Sequence, residues 1–195
     1  MDRVADWALG LSALGWAVAG VVELQATSPV GLTVTVLNLV VGVLFLRRRR
    51  ATRMVPIGEN AICLGSVVSS LLAVSVAPPH EQWPLWPALL FTVAGVAAVF
   101  SLLDLGRSFG VLPAHRGLVQ RGPYRLVRHP VYLAELTMVL ACGLAGLRPL
   151  ALGVVVLATL LVVVRIRIEE RLLATMPGYY GYRHQVPWRL LPGLW

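Results

Sequence analysis

Apolar residues along this chain come in long runs, without the strict alternation of a half-buried strand or the narrow stripe of a surface helix. Six runs can be marked, at about 7–26, 30–46, 61–77, 86–103, 131–147 and 150–164. Each is near the roughly 20 residues that carry a helix across a bilayer. The last two are short, so five spans and six are both open. Backbone groups inside lipid must be satisfied within their own segment, which makes helices of such runs. The expected fold is an all-α integral membrane protein of five to six transmembrane helices.

The polar interruptions then orient it. Of 17 arginines, Arg3, the run 47–50, Arg53, the five in 107–128 and those from Arg165 to Arg189 fall on one side, and only Arg148 falls on the other. Positive charge accumulates on the cytoplasmic side, so both termini are expected in the cytoplasm of a bacterial inner membrane. The opposite connections are short: 27–29, 78–84 and 146–149. Trp83, Trp86, Trp188 and Trp195 fall near expected interfaces, where indole rings anchor.

Composition agrees with this picture. The chain has 195 residues, 57% hydrophobic and 13% charged, with mean hydropathy +0.76. Its net charge of +8 comes entirely from arginines, which border apolar runs. That placement suits lipid head groups and argues against nucleic acid as a partner. Cys63 and Cys142 lie inside apolar runs with no CxxC pattern, so neither a disulfide framework nor a metal site is expected. Asp2 and Asp6 spoil the basic start that a cleaved signal peptide would need.

Candidate chemistry is concentrated after Asp104. Residues 121–133, RGPYRLVRHPVYL, carry three arginines, a histidine, two prolines and two tyrosines between apolar segments. Gly122-Pro123 predicts a turn, and His129-Pro130 predicts a helix opening at Pro130. The free N–H groups and positive dipole end of that helix, beside Arg128 and His129, suit a small anionic or zwitterionic ligand. A second cluster, Arg165-Ile166-Arg167-Ile168-Glu169-Glu170-Arg171, follows the last apolar run. There Arg165 and Glu169 share a helix face, as do Arg167 and Glu170. The two glutamates are the only adjacent acids in the chain, and a carboxylate there could bind a ribose diol, an ammonium or a sulfonium. The helix is expected to end at Pro177-Gly178, before a Tyr-rich segment. Glu135, about one turn into the fifth run, is an intramembrane acid and so a functional candidate. Glu23 and Asp104 are weaker ones.

Taken in order, Gly122-Pro123-Tyr124-Arg125, Arg128-His129-Pro130-x-Tyr132, Glu169-Glu170-x-x-Leu173, the Tyr-rich segment, Val186-Pro187 and Leu191-Pro192-Gly193 resemble the isoprenylcysteine carboxyl methyltransferase family. Its broader superfamily includes phospholipid N-methyltransferases. The resemblance covers 105–195, whereas the first four runs match only in being hydrophobic. It implies an integral membrane methyltransferase that uses S-adenosylmethionine, with a C-terminal catalytic region (105–195) enclosing the cofactor at the cytoplasmic face; the apolar runs place a four-span N-terminal region (1–104) before it. By the same resemblance Tyr124, Arg128, His129, Tyr132, Leu133, Glu169 and Glu170 would line the cofactor pocket. Arg165 or Arg167 would lie near the acceptor. Pro177-Gly178 stands where the family often has Phe-Gly, and the basic tract before Val-Pro is thinned to Arg183-His184-Gln185.

The residues themselves fit such chemistry. Arg128 or the helix start at Val131 could hold the carboxylate of S-adenosylmethionine, Glu169 or Glu170 its ribose or ammonium, and a tyrosine face its sulfonium. An ionised carboxylate or thiolate acceptor needs no base; a phenol or amine would, with His129, Glu135 and Glu170 as candidates. The acceptor would be a lipophilic or lipidated molecule from the bilayer. Two other readings stay open: an NADPH-dependent reductase of sterol or steroid type, and a non-catalytic protein with a basic lipid-binding face.

Overall fold

The computed structural model describes residues 3–23, 28–52 and 55–195. Asp2, Ala26, Thr27 and Arg53, named above, lie outside the described residues. The described chain is helical, in the order α1 Arg3–Val22, α2 Pro29–Arg47, α3 Ile57–Val76, α4 Leu85–Leu105, α5 Pro130–Gly146, α6 Pro149–Leu173 and α7 Tyr179–Gln185. Single 3-10 turns stand at His80–Gln82, Gly106–Ser108 and Gly122–Arg125. Among the described residues, α1, α2, α3, α4 and α6 are long and apolar enough to cross a membrane, and α5 is a shorter apolar helix of 17 residues. This is an all-α integral membrane protein.

Proline placement explains the boundaries. Pro29, Pro130 and Pro149 each stand at the first turn of a helix, where a missing N–H costs nothing. Ser28 caps α2 by accepting the Gly31 N–H at 3.0 Å. Only α6 departs far from its apolar run. It continues through the polar cluster to Leu173, 25 residues in all, because alternate turns of its far end are buried and their polar groups find partners.

Helix α1 packs on α2, α2 on α4, α4 on α5, and α3 on α6, with α5 between α4 and α6. The α1–α2 approach is close: a Cβ on Gly42 would stand 2.8 Å from Leu14 Cγ, so a small residue is required there. A core of Val30, Ala73, Phe91, Val139, Ala141, Cys142, Val154 and Ala158 fills the bundle toward the α3–α4 and α5–α6 connections. Trp83 belongs to that core. It is 8% exposed and donates its indole N–H to Pro78 O at 2.8 Å, so it is a packing residue, not the interface anchor its position suggested. Trp86, by contrast, is exposed. Large apolar side chains left outside, such as Trp16, Val93, Phe100, Val156 and Leu160, cover the faces that meet lipid.

The opposite end of the bundle is polar. Asp6 near the start of α1 pairs with Arg48 just past α2. Glu59 at the start of α3 pairs with Arg171 at the end of α6 at 2.7 Å. Asp104 near the end of α4 pairs with Arg121 at 3.4 Å. The stretch between α4 and α5 folds over this end, tied by Arg49 N–H to Arg107 O (2.8 Å) and Thr52 N–H to His115 O (3.1 Å).

Candidate active site

The turn that leads into the site is fixed by Gly122. Its φ is +54°, and a Cβ there would stand 1.8 Å from Asp104 Oδ2. Only glycine can bring the chain this close to α4 in that conformation. The Gly122–Arg125 turn then buries Tyr124 and delivers Arg128 and His129 to the start of α5.

Arg128 and His129 do not end in solvent; both are 5% exposed. Their backbone N–H groups donate to Trp188 O and Arg189 O, each at 2.9 Å, which pairs this segment with the chain's last stretch. The Arg128 guanidinium donates from Nη1 to Val186 O and Pro187 O, both at 2.7 Å, and from Nε to Glu170 Oε1 at 2.7 Å. His129 Nε2 lies 3.4 Å from the same oxygen. Arg189 Nε donates to Glu170 Oε2 at 2.6 Å. One carboxylate on α6 thus gathers the start of α5 and the C-terminal segment. Charge-assisted bonds of this kind are about twice as strong as neutral ones.

Glu169 faces a different group. Tyr132, one turn into α5, donates its hydroxyl to Glu169 Oε2 at 2.5 Å. The other oxygen, Oε1, has no protein partner among the described residues. The Tyr132 ring stacks on His129 with centroids 5.6 Å apart, and Arg165 Cζ lies 4.8 Å from its centroid. Leu133 packs against this group with Val162, Ile166 and Leu190.

Arg165 is 4% exposed inside the bundle. It donates to Ser66 Oγ on α3 (3.1 Å) and to Val111 O (2.5 Å), and its buried Nε finds no acceptor among the described residues. Glu135 accepts from Ser70 Oγ at 2.8 Å, four residues further along α3. Sequence reasoning passed over Ser66 and Ser70. Their signal was their spacing on one face of an apolar span, opposite an intramembrane arginine and glutamate that both needed partners. Arg189 was also passed over as a site residue, because it was read only as one of the arginines on the cytoplasmic side.

Several expected neighbours stand apart. Arg165 and Glu169 share a face but not a bond, since Arg165 turns inward to α3. Arg167 is exposed and has no ion pair with Glu170, although the two share a face, because both oxygens of Glu170 are taken by groups on the α5 start and the C-terminal segment. Glu135 meets Ser70 and not His129. The Tyr-rich segment forms α7, where Tyr179 and Tyr182 are buried and Tyr182 donates to Tyr124 O at 2.7 Å. Burial, then the Glu170 charge, pushes the Tyr182 hydroxyl up to about 12, and burial likewise raises Tyr124 and Tyr179.

Residues 85–180 match the family model for phospholipid methyltransferase. That stretch is similar to this family. The match begins earlier than the motifs did: it takes in α4 as well as α5 and α6, and ends inside α7, before Arg189. Among curated proteins, the chain is 31% identical over 136 residues to the cobalt-zinc-cadmium resistance protein CzcN of Cupriavidus metallidurans. The alignment covers 66% of this chain and 62% of that protein, so it spans less than two thirds of the relative's length. Among the described residues, no group of three or more His, Cys, Asp or Glu side chains is placed to hold a metal ion.

Proposed function

We propose that this protein transfers a methyl group from S-adenosylmethionine to a lipophilic acceptor from the bilayer, at the cytoplasmic end of the bundle. One observation carries the reading: within the family-matched stretch, adjacent glutamates on α6 have separate tasks. Glu170 is engaged by Arg128, His129 and Arg189 and closes the walls, while Glu169 presents an unpartnered oxygen beside Tyr132.

The residues present fit the cofactor's polar groups. Glu169 Oε1 would accept from ribose hydroxyls or the ammonium. Pro130 has no N–H, and Val131 and Tyr132 are the N–H groups for which α5 supplies no acceptor, so they would take the carboxylate. Arg128 is the weaker candidate for that carboxylate, because its Nε and Nη1 are engaged by protein oxygens. When bound, S-adenosylmethionine supplies a methyl group activated by its sulfonium.

On the acceptor side, Arg165 offers an unpartnered Nε within the apolar interior, suited to an anionic or phenolic oxygen. Holding two reactants aligned and dry provides most of the acceleration in an in-line displacement. A carboxylate or thiolate acceptor needs no proton transfer. A phenol or amine would lose its proton to Glu135 or His129, since Glu170 has both oxygens committed to donors.

The test is calorimetric titration of the purified protein with S-adenosylmethionine, S-adenosylhomocysteine and NADPH. Binding of the first two without NADPH is expected. Binding of NADPH alone, or of none of the three, refutes the proposal. A screen of lipophilic acids, phenols, thiols and amines with labelled cofactor then identifies the acceptor.

A further inference from the structure

The methyltransferase reading leaves the first half of the molecule's polar end unused. A cleft of about 450 Å³ opens there, lined by Trp7, Phe45, Leu46, Asp6, the arginine run 47–50 and Arg107. Five guanidinium groups face one carboxylate among these residues, and that carboxylate already pairs with Arg48. Arg47, Arg49, Arg50 and Arg107 are exposed and form no ion pair among the described residues.

Arginines that only set topology need neither a cavity nor a fixed position. Here the run is anchored, because Arg49 N–H donates to Arg107 O at 2.8 Å and brings two separate segments to one cleft. Arg116, in the segment between α4 and α5, adds a further buried cation. It is 7% exposed, its Nε has no acceptor among the described residues, and burial, then the charge of Arg48, lowers its pKa to about 10. This end of the bundle is short of negative charge. The remaining lining is apolar and aromatic, at the level where α1 and α2 leave the hydrocarbon.

We propose that the cleft is a docking site for an anionic phospholipid, with the arginines 47, 49, 50 and 107 on its phosphate and Trp7 and Phe45 against the adjoining glycerol and chain. Guanidinium forks match phosphate oxygens, and each cation near the surface strengthens binding roughly fivefold. The site is independent of the cofactor chemistry proposed above.

The experiment measures binding to the protein in dodecyl maltoside micelles by the shift in unfolding temperature on titration. The probes are phosphatidylglycerol, phosphatidylcholine with the same chains, and inorganic phosphate. Phosphatidylglycerol is expected to stabilise the protein at concentrations where the other two do not. The triple variant Arg49→Gln, Arg50→Gln, Arg107→Gln is expected to bind it about a hundredfold more weakly. A control triple of exposed arginines elsewhere, Arg125→Gln, Arg148→Gln, Arg183→Gln, is expected to keep the wild-type shift. Equal shifts from phosphatidylcholine, a shift from phosphate alone, or equal losses in both triples would overturn the proposal. If the cleft triple does not fold, the wild-type comparison of the three probes still decides between charge-selective lipid binding and none.

Discussion

Replacing Glu170 with Gln tests the clamp most directly. The substitution keeps the shape of the side chain and removes its charge. The Arg128 side chain is 2% exposed and that of Glu170 11%, so the pair is buried, while Arg189 at 27% is half-shielded. Breaking a buried pair by removing one partner costs about 3–5 kcal/mol. The Gln amide retains one acceptor oxygen, and Arg128 keeps the carbonyls of Val186 and Pro187, which favours the lower end, about 3 kcal/mol. That energy holds 128–129 against 188–189, so its loss should raise local opening by about two orders of magnitude. Hydrogen exchange read by mass spectrometry on peptides spanning 126–131 and 187–191 reports it. The Arg128 and His129 amides should exchange roughly a hundredfold faster in Glu170→Gln. Glu59→Gln is the control: its pair with Arg171 is exposed, 32% and 63%, and worth about 0–1 kcal/mol. Acceleration below about fivefold in Glu170→Gln, or equal acceleration in Glu59→Gln, would refute the clamp.

Glu169→Gln should weaken S-adenosylmethionine binding by about tenfold, or ~1.4 kcal/mol, while leaving exchange at 128–129 unchanged; calorimetry and exchange on the same preparation separate the two effects. Gly122→Ala should destabilise by more than the roughly 1–2 kcal/mol that left-handed backbone costs an ordinary residue, and in an Asp104→Ala background the penalty should shrink toward that value, as read by denaturant or thermal unfolding. Stability should fall as pH rises from about 10 toward 12. The unfolded chain then ionises Tyr182 while the folded chain, whose hydroxyl is held at about 12, does not; below pH 10 both are neutral and the contribution is complete. Tyr182→Phe should make that alkaline limb shallower, Tyr124 and Tyr179 still contributing to it, and lower stability at pH 7 by about 1 kcal/mol, because Tyr124 O loses its donor.

Much of this protein is written in local sequence. Long apolar runs have one low-energy form in lipid, so the helical membrane class and the approximate spans followed from them without tertiary information. Pro130 marked a helix start, and Pro29 and Pro149, read only as ends of connections, open helices for the same reason, because the missing N–H and fixed φ act on the residue itself. The stretch at 121–133 and the glutamate pair could be picked out because polar residues beside apolar spans need a reason to be there. What the sequence left open was direction. Whether Arg165 faces Glu169 or Ser66, and whether Arg167 joins or leaves the cluster, depends on which helix lies beside α6. Likewise, only docking of the last ten residues turns Glu170 into a clamp and leaves its neighbour Glu169 with an open oxygen. Adjacent residues on a helix point about 100° apart, so packing alone decides which of two identical side chains binds protein and which is left to bind something else.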